Sequence, residues 1–298
     1  MSHEHAHGTP ESGFRLAIVV GLNFVITAAE IVGGLISGSL SLISDALHNF
    51  SDGIAVIIAW IAIRLDTRPR TDHHTFGLKR AQVLAAVINA GALVAISLYL
   101  FIEAWDRFVD PHPIEGMLMT GVATIGLVAN VLGTWLLHRG SKQNMNLKAA
   151  YLHLFSDAVS SIGVILGGLV ITVFGITWLD PLLTVLIGVY VLRESLLILW
   201  AALGIFMLRA PSGLSLEEIR SEIRAVPGVV CIHHLHLWEV AEHDIHFEGH
   251  IELEDQPLGD TEAIRVAIEE MLHERFDINH TTLQIEPPDG QCATAELV

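Results

Sequence analysis

Six long apolar segments set the strongest limit on how this chain can fold. They lie at about residues 13–36, 41–64, 79–105, 115–137, 148–174 and 179–206. Each has the roughly 20 residues that a helix needs to cross the hydrocarbon layer of a membrane. Only 16% of the residues are charged, whereas ordinary soluble domains carry about 25%. The sequence therefore predicts a membrane-embedded, all-α bundle of six helices over residues 13–208.

The basic residues between these segments predict how the helices are oriented. They cluster after the second and fourth segments, at Arg64, Arg68, Arg70, Lys79, Arg80, Arg139, Lys142 and Lys148. The other three connections together contain a single Lys or Arg residue, which is Arg107. Short loops that are rich in Lys and Arg remain on the cytoplasmic side of a membrane. We therefore expect the basic loops and both termini to be cytoplasmic.

Two of the apolar segments carry the same pair of ionisable residues. The pattern His-x-Phe-Ser-Asp occurs at His48 to Asp52 and again at His153 to Asp157. Residues four apart share a helix face, so each segment presents an imidazole beside a carboxylate. Ionisable groups at membrane depth are costly unless they pair or bind an ion. Two imidazoles and two carboxylates that face each other would form a four-ligand site, which suits tetrahedral zinc.

The duplicated His-x-x-x-Asp pair resembles the signature of the cation diffusion facilitator family, in particular its zinc- and cadmium-exporting antiporters. The resemblance runs from about residue 13 to 287 and includes the motifs His233-His234-Leu235-His236-Leu237-Trp238 and Thr282-Leu283-Gln284-Ile285-Glu286. It implies a homodimeric transporter, not an enzyme, in which His48, Asp52, His153 and Asp157 hold zinc as the substrate. Zinc would leave the cytoplasm in exchange for protons, and no organic cofactor is expected.

Two further acidic residues lie in the apolar segments. Asp45, three residues before His48, lies on a nearby helix face, and we expect it to help the metal reach or leave the site. Glu30 has two interpretations: a structural hydrogen-bond partner, or a residue that supports the site or relays protons. Three amide side chains are expected to hydrogen-bond between helices: Asn23, Asn89 and Asn130.

The loop from Thr67 to Lys79 holds a second group of metal donors, Asp72, His73 and His74. His74 precedes a Thr-Phe-Gly sequence, which resembles the loop where some members of the family bind a second metal ion. The histidine that those members carry after Phe-Gly is Leu78 here. With at most three donors, the loop fits either a weak metal site or a plain solvent-exposed connection.

Residues 209–298 differ in composition from the rest of the chain. They hold five Lys and Arg residues against 19 Asp and Glu residues, which gives −14 of the net charge of −17. The patterns predict a helix after Ser215, strands at about 229–240 and 246–254, a helix at 260–276 and a strand at 281–286. This αββαβ order predicts a small α+β domain. So acidic a surface excludes nucleic acid as a partner, because that binding depends on Lys and Arg.

The acidic domain resembles the ferredoxin-like, metallochaperone-like cytoplasmic domain of the same family, which regulates and dimerises the transporter. His233, His250 and Glu286 fall where some relatives bind regulatory zinc at the dimer interface. A further ligand position of those relatives is Gln284 here, which is a weaker donor. A purely structural role also fits, because histidines on strands often hydrogen-bond their neighbours.

At the N-terminus, residues 1–12 are expected to form a cytoplasmic tail. Its alternating histidines either are disordered or bind zinc loosely.

The leading interpretation is a multi-pass protein of a prokaryotic inner membrane that exports zinc. Cadmium and cobalt tolerate much the same ligands. Two other classes remain open. A membrane-bound sensor would bind zinc with its acidic domain and signal to a partner protein. Such a sensor would not need a four-ligand site in the bilayer. An intramembrane metalloprotease would need a His-Glu-x-x-His motif and an open metal position for water.

Overall fold

The computed structural model describes the backbone of residues 10–138, 145–241 and 244–288, and their side chains except those of 10–20 and 145–150. The predicted tail histidines and the loop residues Arg139 and Lys142 lie outside the described residues. Six long helices lie within a few residues of the six predicted segments. They are α1 (Pro10–Ser37), α2 (Leu40–Asp66), α3 (Ala81–Val109), α4 (Gly116–His138), α5 (Met145–Phe174) and α6 (Leu179–Phe206).

Five of the described helices are long and apolar enough to cross a membrane: α2, α3, α4, α6 and the part of α5 from Tyr151 to Phe174. The described side chains of α1, from Gly21 to Ser37, form a shorter apolar helix. Large apolar side chains on these helices are well over half exposed, among them Trp105, Trp135 and Trp200. Exposed apolar surface of this extent is typical of a protein that faces lipid.

Small residues let α4 and α5 approach each other closely. A Cβ atom on Gly116 would lie 2.5 Å from the carbonyl oxygen of Gly168. A Cβ atom on Gly168 would lie 2.4 Å from Thr120 Oγ1. Such close approaches at small residues are a usual means of packing helices in membranes. They fix the position of α5, which carries one of the two His/Asp pairs.

The helix that carries the other pair, α2, is capped by a residue far away in sequence. Asp180, in the first turn of α6, is fully buried. Its carboxylate accepts hydrogen bonds from the backbone N–H of Leu40 at 2.7 Å and of Ser41 at 3.1 Å. It also accepts bonds from the hydroxyls of Ser39 at 2.7 Å and Ser41 at 2.6 Å. A carboxylate satisfies the free N–H groups of a helix start and complements its dipole.

The acidic part of the chain has the predicted αββαβ order. Its elements are α7 (Leu216–Arg224), β1 (Val229–Ala241), β2 (Asp244–Leu253), α8 (Leu258–Phe276) and β3 (His280–Glu286). The sheet order is β1-β2-β3, with β2 antiparallel to β1 and parallel to β3. Ser215 is the predicted N-cap of α7, since its Oγ accepts a hydrogen bond from the N–H of Glu218. Fully buried side chains such as Ile219, Phe247 and Leu272 form the core.

The chain divides into two compact units. Of the described residues, those up to residue 60 and those within 88–199 form the first unit, and those within 61–87 and from residue 200 onwards form the second. In the second unit, Lys79 Nζ lies 2.6 Å from Asp244 Oδ2. The rings of Phe76 and His246 have centroids 5.7 Å apart. The segment 61–87 was not part of the domain that the sequence predicted.

Candidate metal centre

The first unit brings the side chains of both His-x-x-x-Asp pairs together. Within α2, His48 Nδ1 lies 3.4 Å from Asp52 Oδ2. Within α5, His153 Nε2 lies 3.4 Å from Asp157 Oδ2. Across the two helices, His153 Nε2 lies 3.3 Å from Asp52 Oδ2. The two pairs, which are far apart in sequence, therefore form one cluster of four donors.

The atoms that converge in this cluster make no hydrogen bonds with the described residues. They are His48 Nδ1, Asp52 Oδ2, His153 Nε2 and Asp157 Oδ2, and all four are buried. Their nearest polar neighbours are one another, in His–Asp contacts of 3.3–3.4 Å. A cation shared between them would satisfy the hydrogen-bonding capacity that these contacts leave unused. Zinc bonds of about 2.0–2.1 Å in a tetrahedron separate neighbouring ligand atoms by about 3.3 Å. Three separations between the donors, at 3.3–3.4 Å, equal this spacing, and the donor atoms of His48, His153 and Asp157 all lie within 4.8 Å of one another.

A cavity gives this cluster an approach route. Its volume is about 480 Å³, and its lining includes Asp45, His48, Asp157, Ser160 and Tyr190. Asp45 is almost fully buried, and its Oδ1 accepts a hydrogen bond of 3.1 Å from Ser160 Oγ. The carboxylate therefore lies on the wall of the cavity that leads to the donors. This position is compatible with the expected role of Asp45 in metal entry or exit.

Glu30 of α1 has a hydrogen-bond partner on α2. Its Oε2 accepts a hydrogen bond of 3.1 Å from Asn49 Nδ2. Asn23 Nδ2 in turn donates to the backbone carbonyl of Asn49 at 3.0 Å. Asn89 Oδ1 accepts a bond from Ser51 Oγ. Asn23 and Asn89 thus link helices as predicted, but Asn130 is different, because neither of its side-chain polar atoms has a partner among the described residues.

The second unit brings together His233, His250 and Glu286. His233 and His250 are paired across β1 and β2, and Gln284 of β3 lies opposite His250. Glu286 Oε2 lies 3.4 Å from His233 Nε2, and Glu286 Oε1 lies 2.9 Å from His250 Nδ1. Gln284 Nε2 donates to Glu286 Oε1 at 2.6 Å, so it orients the carboxylate. Three donors within ligand distance can hold a metal ion.

Two comparisons decide the family. Residues 16–207 match the cation efflux transmembrane domain, and residues 211–288 match the cation efflux protein cytoplasmic domain. The chain belongs to the cation efflux family.

Curated members of the family match nearly the whole chain. A zinc transporter, ZitB, of Shigella flexneri is 38% identical over 293 residues, which cover 96% of this chain and 93% of the relative. The metal cation efflux system protein CzcD of Cupriavidus metallidurans is 35% identical, with 96% and 89% covered. A cadmium, cobalt and zinc/H(+)-K(+) antiporter of Bacillus subtilis is 35% identical, with 96% and 92% covered. These relatives are transporters, which confirms the predicted family and class, a transporter and not an enzyme.

The loop donors of this cation efflux protein are not brought together. Asp72, His73 and His74 are all exposed. His74 belongs to a tight turn, in which its backbone N–H and C=O bond those of Thr71. Among the described residues, the groupings of metal donors do not include any of the three. A metal site in this loop stays a prediction that would require the loop to rearrange.

One residue near the second cluster escaped the sequence analysis. Glu252, which is 2% exposed, lies 4.0 Å from His233 Nδ1. Glu252 of β2 lies opposite Glu286 of β3, and this strand pairing brings its carboxylate close to the cluster. Close by on β1, the Nε2 atoms of His234 and His236 lie 3.3 Å apart.

A third histidine pair lies at the start of β2 in the same family domain. The rings of His246 and His280 have centroids 4.6 Å apart, and His246 Nε2 lies 3.7 Å from Asp244 Oδ2. Burial lowers the pKa of His246, and the charges of His280 and Lys79 lower it further, against the opposing effect of Asp244. His246 is therefore held in its neutral form.

Proposed function

We propose that this chain exports zinc from the cytoplasm through the cluster of His48, Asp52, His153 and Asp157. The observation that carries the proposal is the convergence of the four side chains: His48, His153 and Asp157 offer donor atoms within 4.8 Å of one another, and Asp52 Oδ2 lies 3.3–3.4 Å from both imidazoles. Two nitrogen and two oxygen ligands favour zinc and also accept cadmium or cobalt. The relatives named as transporters of zinc, or of cadmium, cobalt and zinc, support the same substrates.

Zinc export would be coupled to protons. Metal ions bind deprotonated ligands, so zinc and protons compete for the two imidazoles. The unperturbed pKa of histidine, about 6.5, lies close enough to physiological pH for a pH gradient to bias this competition. On the cytoplasmic side zinc displaces protons, and on a more acidic outer side protons displace zinc. At least one proton would enter per zinc ion, carried by His48 or His153, as the bundle alternates between two states.

The same proposal includes the finer architecture. All six helices would cross a prokaryotic inner membrane, with both termini and residues 209–298 in the cytoplasm. The acidic part would be a ferredoxin-like domain that joins two copies of the chain. Its match to a cytoplasmic domain of the family supports this location. Zinc at His233, His250 and Glu286 would regulate transport from there.

Zinc flux into proteoliposomes tests the proposal. Asp157→Asn keeps the shape of a ligand but removes its charge, and it should abolish flux. Asp106→Asn is a matched control, because Asp106 also lies on a membrane helix but is exposed and away from the donors. We expect the control to transport like the original protein. Full zinc flux in Asp157→Asn, at equal protein incorporation, would refute the proposed site.

A further inference from the structure

A large cavity lies at one end of the membrane helices, away from the His/Asp cluster. Its volume is about 760 Å³, which falls within the range of about 300–1,000 Å³ that is usual for ligand pockets. Its walls come from the last turn of α2, the loop that follows, the first turn of α3, the end of α6 and strand β1. All of these segments belong to the second unit. Because α2, α3 and α6 are membrane-crossing helices, their ends place the cavity at a surface of the membrane.

The lining of this cavity is mostly apolar and remains exposed. Phe76 of the loop, Leu84 of α3 and Leu208 after α6 are 53%, 50% and 52% exposed. Trp238 and Val240 of β1 add two further apolar side chains to the lining. An apolar surface of this kind marks a place where another molecule binds.

Leu208 lines the cavity from an unfavourable backbone conformation. Its φ is 56°, a value at which glycine usually stands when it ends a helix. The end of α6 has the hydrogen bonds of such a glycine cap. The N–H of Leu208 bonds the carbonyl of Ile205 at 3.2 Å. The N–H of Arg209 bonds the carbonyl of Gly204 at 2.9 Å. A ligand that buries the leucine side chain would offset the cost of this conformation.

The charges beside the cavity are positive. Its polar lining residues are His74, Lys79 and Arg80. The segment 61–87, to which they belong, holds five Lys and Arg residues against two Asp residues, a balance of +3. Lys79 already pairs with Asp244 at 2.6 Å, whereas Arg80 has no ion-pair partner among the described residues. An unpaired guanidinium beside an apolar cavity matches a ligand with an anionic head and an apolar chain.

We propose that this cavity binds one anionic phospholipid, with an acyl chain against Leu208 and Trp238 and the phosphate on Arg80. The occupant is a lipid because the cavity lies at the membrane surface, where phospholipids combine both chemistries. The acidic surface of a second copy would match Arg80, but it would not fill the apolar walls. The inference goes beyond the proposed zinc export and does not require it. Since the lipid would contact both the helix ends and β1, its binding should stabilise the second unit.

Native mass spectrometry of the full-length protein in detergent tests the site. Dioleoyl phosphatidylglycerol is the anionic probe, and dioleoyl phosphatidylcholine is the neutral lipid with equal chains. The original protein should bind one phosphatidylglycerol saturably, about tenfold more tightly than phosphatidylcholine, which is the size of one charge-assisted contact. Arg80→Gln should remove this preference. Leu208→Asn introduces a residue that tolerates the left-handed conformation but removes the apolar side chain, and it should weaken the binding of both lipids about tenfold.

Arg224→Gln is the matched control, because Arg224 is an exposed cation of α7 that does not line the cavity. It should keep the preference for phosphatidylglycerol. Melting temperatures without lipid check the fold of each variant, and if Arg80→Gln does not fold, Leu208→Asn decides. Equal affinity for the two lipids, equal preference in Arg80→Gln and Arg224→Gln, or undiminished binding in Leu208→Asn overturns the proposal.

Brominated acyl chains, which quench the fluorescence of nearby tryptophan, locate the lipid. The saturable part of the quenching by brominated phosphatidylglycerol should disappear in Trp238→Phe. It should persist in Trp200→Phe, since Trp200 is 72% exposed on α6 and does not line the cavity. Saturable quenching that Trp238→Phe leaves intact would overturn the location. Lipid binding that is confined to monomers in the mass spectra would also overturn the proposal, because a second copy would then cover the cavity.

Discussion

His153 Nε2 and Asp52 Oδ2 lie 3.3 Å apart, although they belong to different helices. This contact joins the two His/Asp pairs, because Asp52 also lies 3.4 Å from His48 and His153 lies 3.4 Å from Asp157. The proposed zinc site is therefore a property of the α2–α5 packing and not of either motif alone. Any change in the position of one helix alters the distances between ligands.

The balance of nitrogen and oxygen ligands should determine which metals are transported. His153→Asp would replace an imidazole with a carboxylate and create a site of one nitrogen and three oxygen ligands. We expect this variant to keep part of the zinc flux and to gain flux of harder ions such as manganese. Flux of zinc, cadmium and manganese in proteoliposomes measures the change. An unaltered preference for zinc over manganese would contradict the assignment of His153 as a ligand.

The cap of α2 should contribute to both stability and metal affinity. Asp180→Ala leaves the N–H groups of Leu40 and Ser41 without their acceptor and should destabilise the protein by about 2 kcal/mol or more. Zinc should also bind more weakly, because the start of the helix that carries His48 is released. Thermal unfolding in detergent and calorimetry test this expectation, with the exposed Asp106→Ala as control. Equal melting temperatures for the two variants would contradict the capping role.

The stability of the second unit should depend on pH through His246. Since burial lowers the pKa of this histidine, the folded form binds a proton less readily than the unfolded form. Its contribution to stability is therefore present above the unfolded pKa of about 6.5 and is lost as the pH falls below that value. His246→Gln should reduce this loss. Hydrogen exchange in β2 at pH 7.5 and 5.5, corrected for intrinsic rates, measures it, and an identical pH dependence in both proteins would contradict the prediction.

Zinc should draw together the acidic domains of two copies. Two surfaces that each carry −14 repel until cations bind. Glu286→Gln removes the carboxylate that contacts both His233 and His250, so it should raise the zinc concentration needed for closure. Distances between spin labels on the full-length protein, followed during zinc titration, give the measurement. Glu274→Gln, an exposed carboxylate of α8, is the control. Identical titrations in the two variants would contradict the regulatory role.

The sequence predicts the parts of this protein that depend on local patterns. The apolar segments predict the helices of the bundle, and Ser215 predicts the start of α7. The repeated spacing of His48 and His153 predicts that the two His/Asp pairs meet, and the structure brings them together. These features follow from periodicity and burial cost, which are readable along a single chain.

The remaining features depend on which distant residues meet. Nothing local indicates that Asp180 caps a helix 140 positions earlier in the chain. The close fit of Gly126 against Glu30 and the lack of a partner for Asn130 depend on the register of α1 and α4. The contact between Lys79 and Asp244 likewise joins segments that the sequence assigns to different domains. Such pairings follow from packing, which the sequence patterns do not specify.

Proton movement during zinc transport tests the central claim most directly. Proteoliposomes that contain a pH-sensitive dye, with the membrane potential clamped and a protonophore as control, report both ions at once. Zinc added to one side should drive at least one proton per zinc ion in the opposite direction. The movement should disappear in the double variant His48→Ala/His153→Ala and persist in Asp106→Asn. Zinc flux without proton movement in the original protein, or undiminished proton movement in the double variant, would contradict the account.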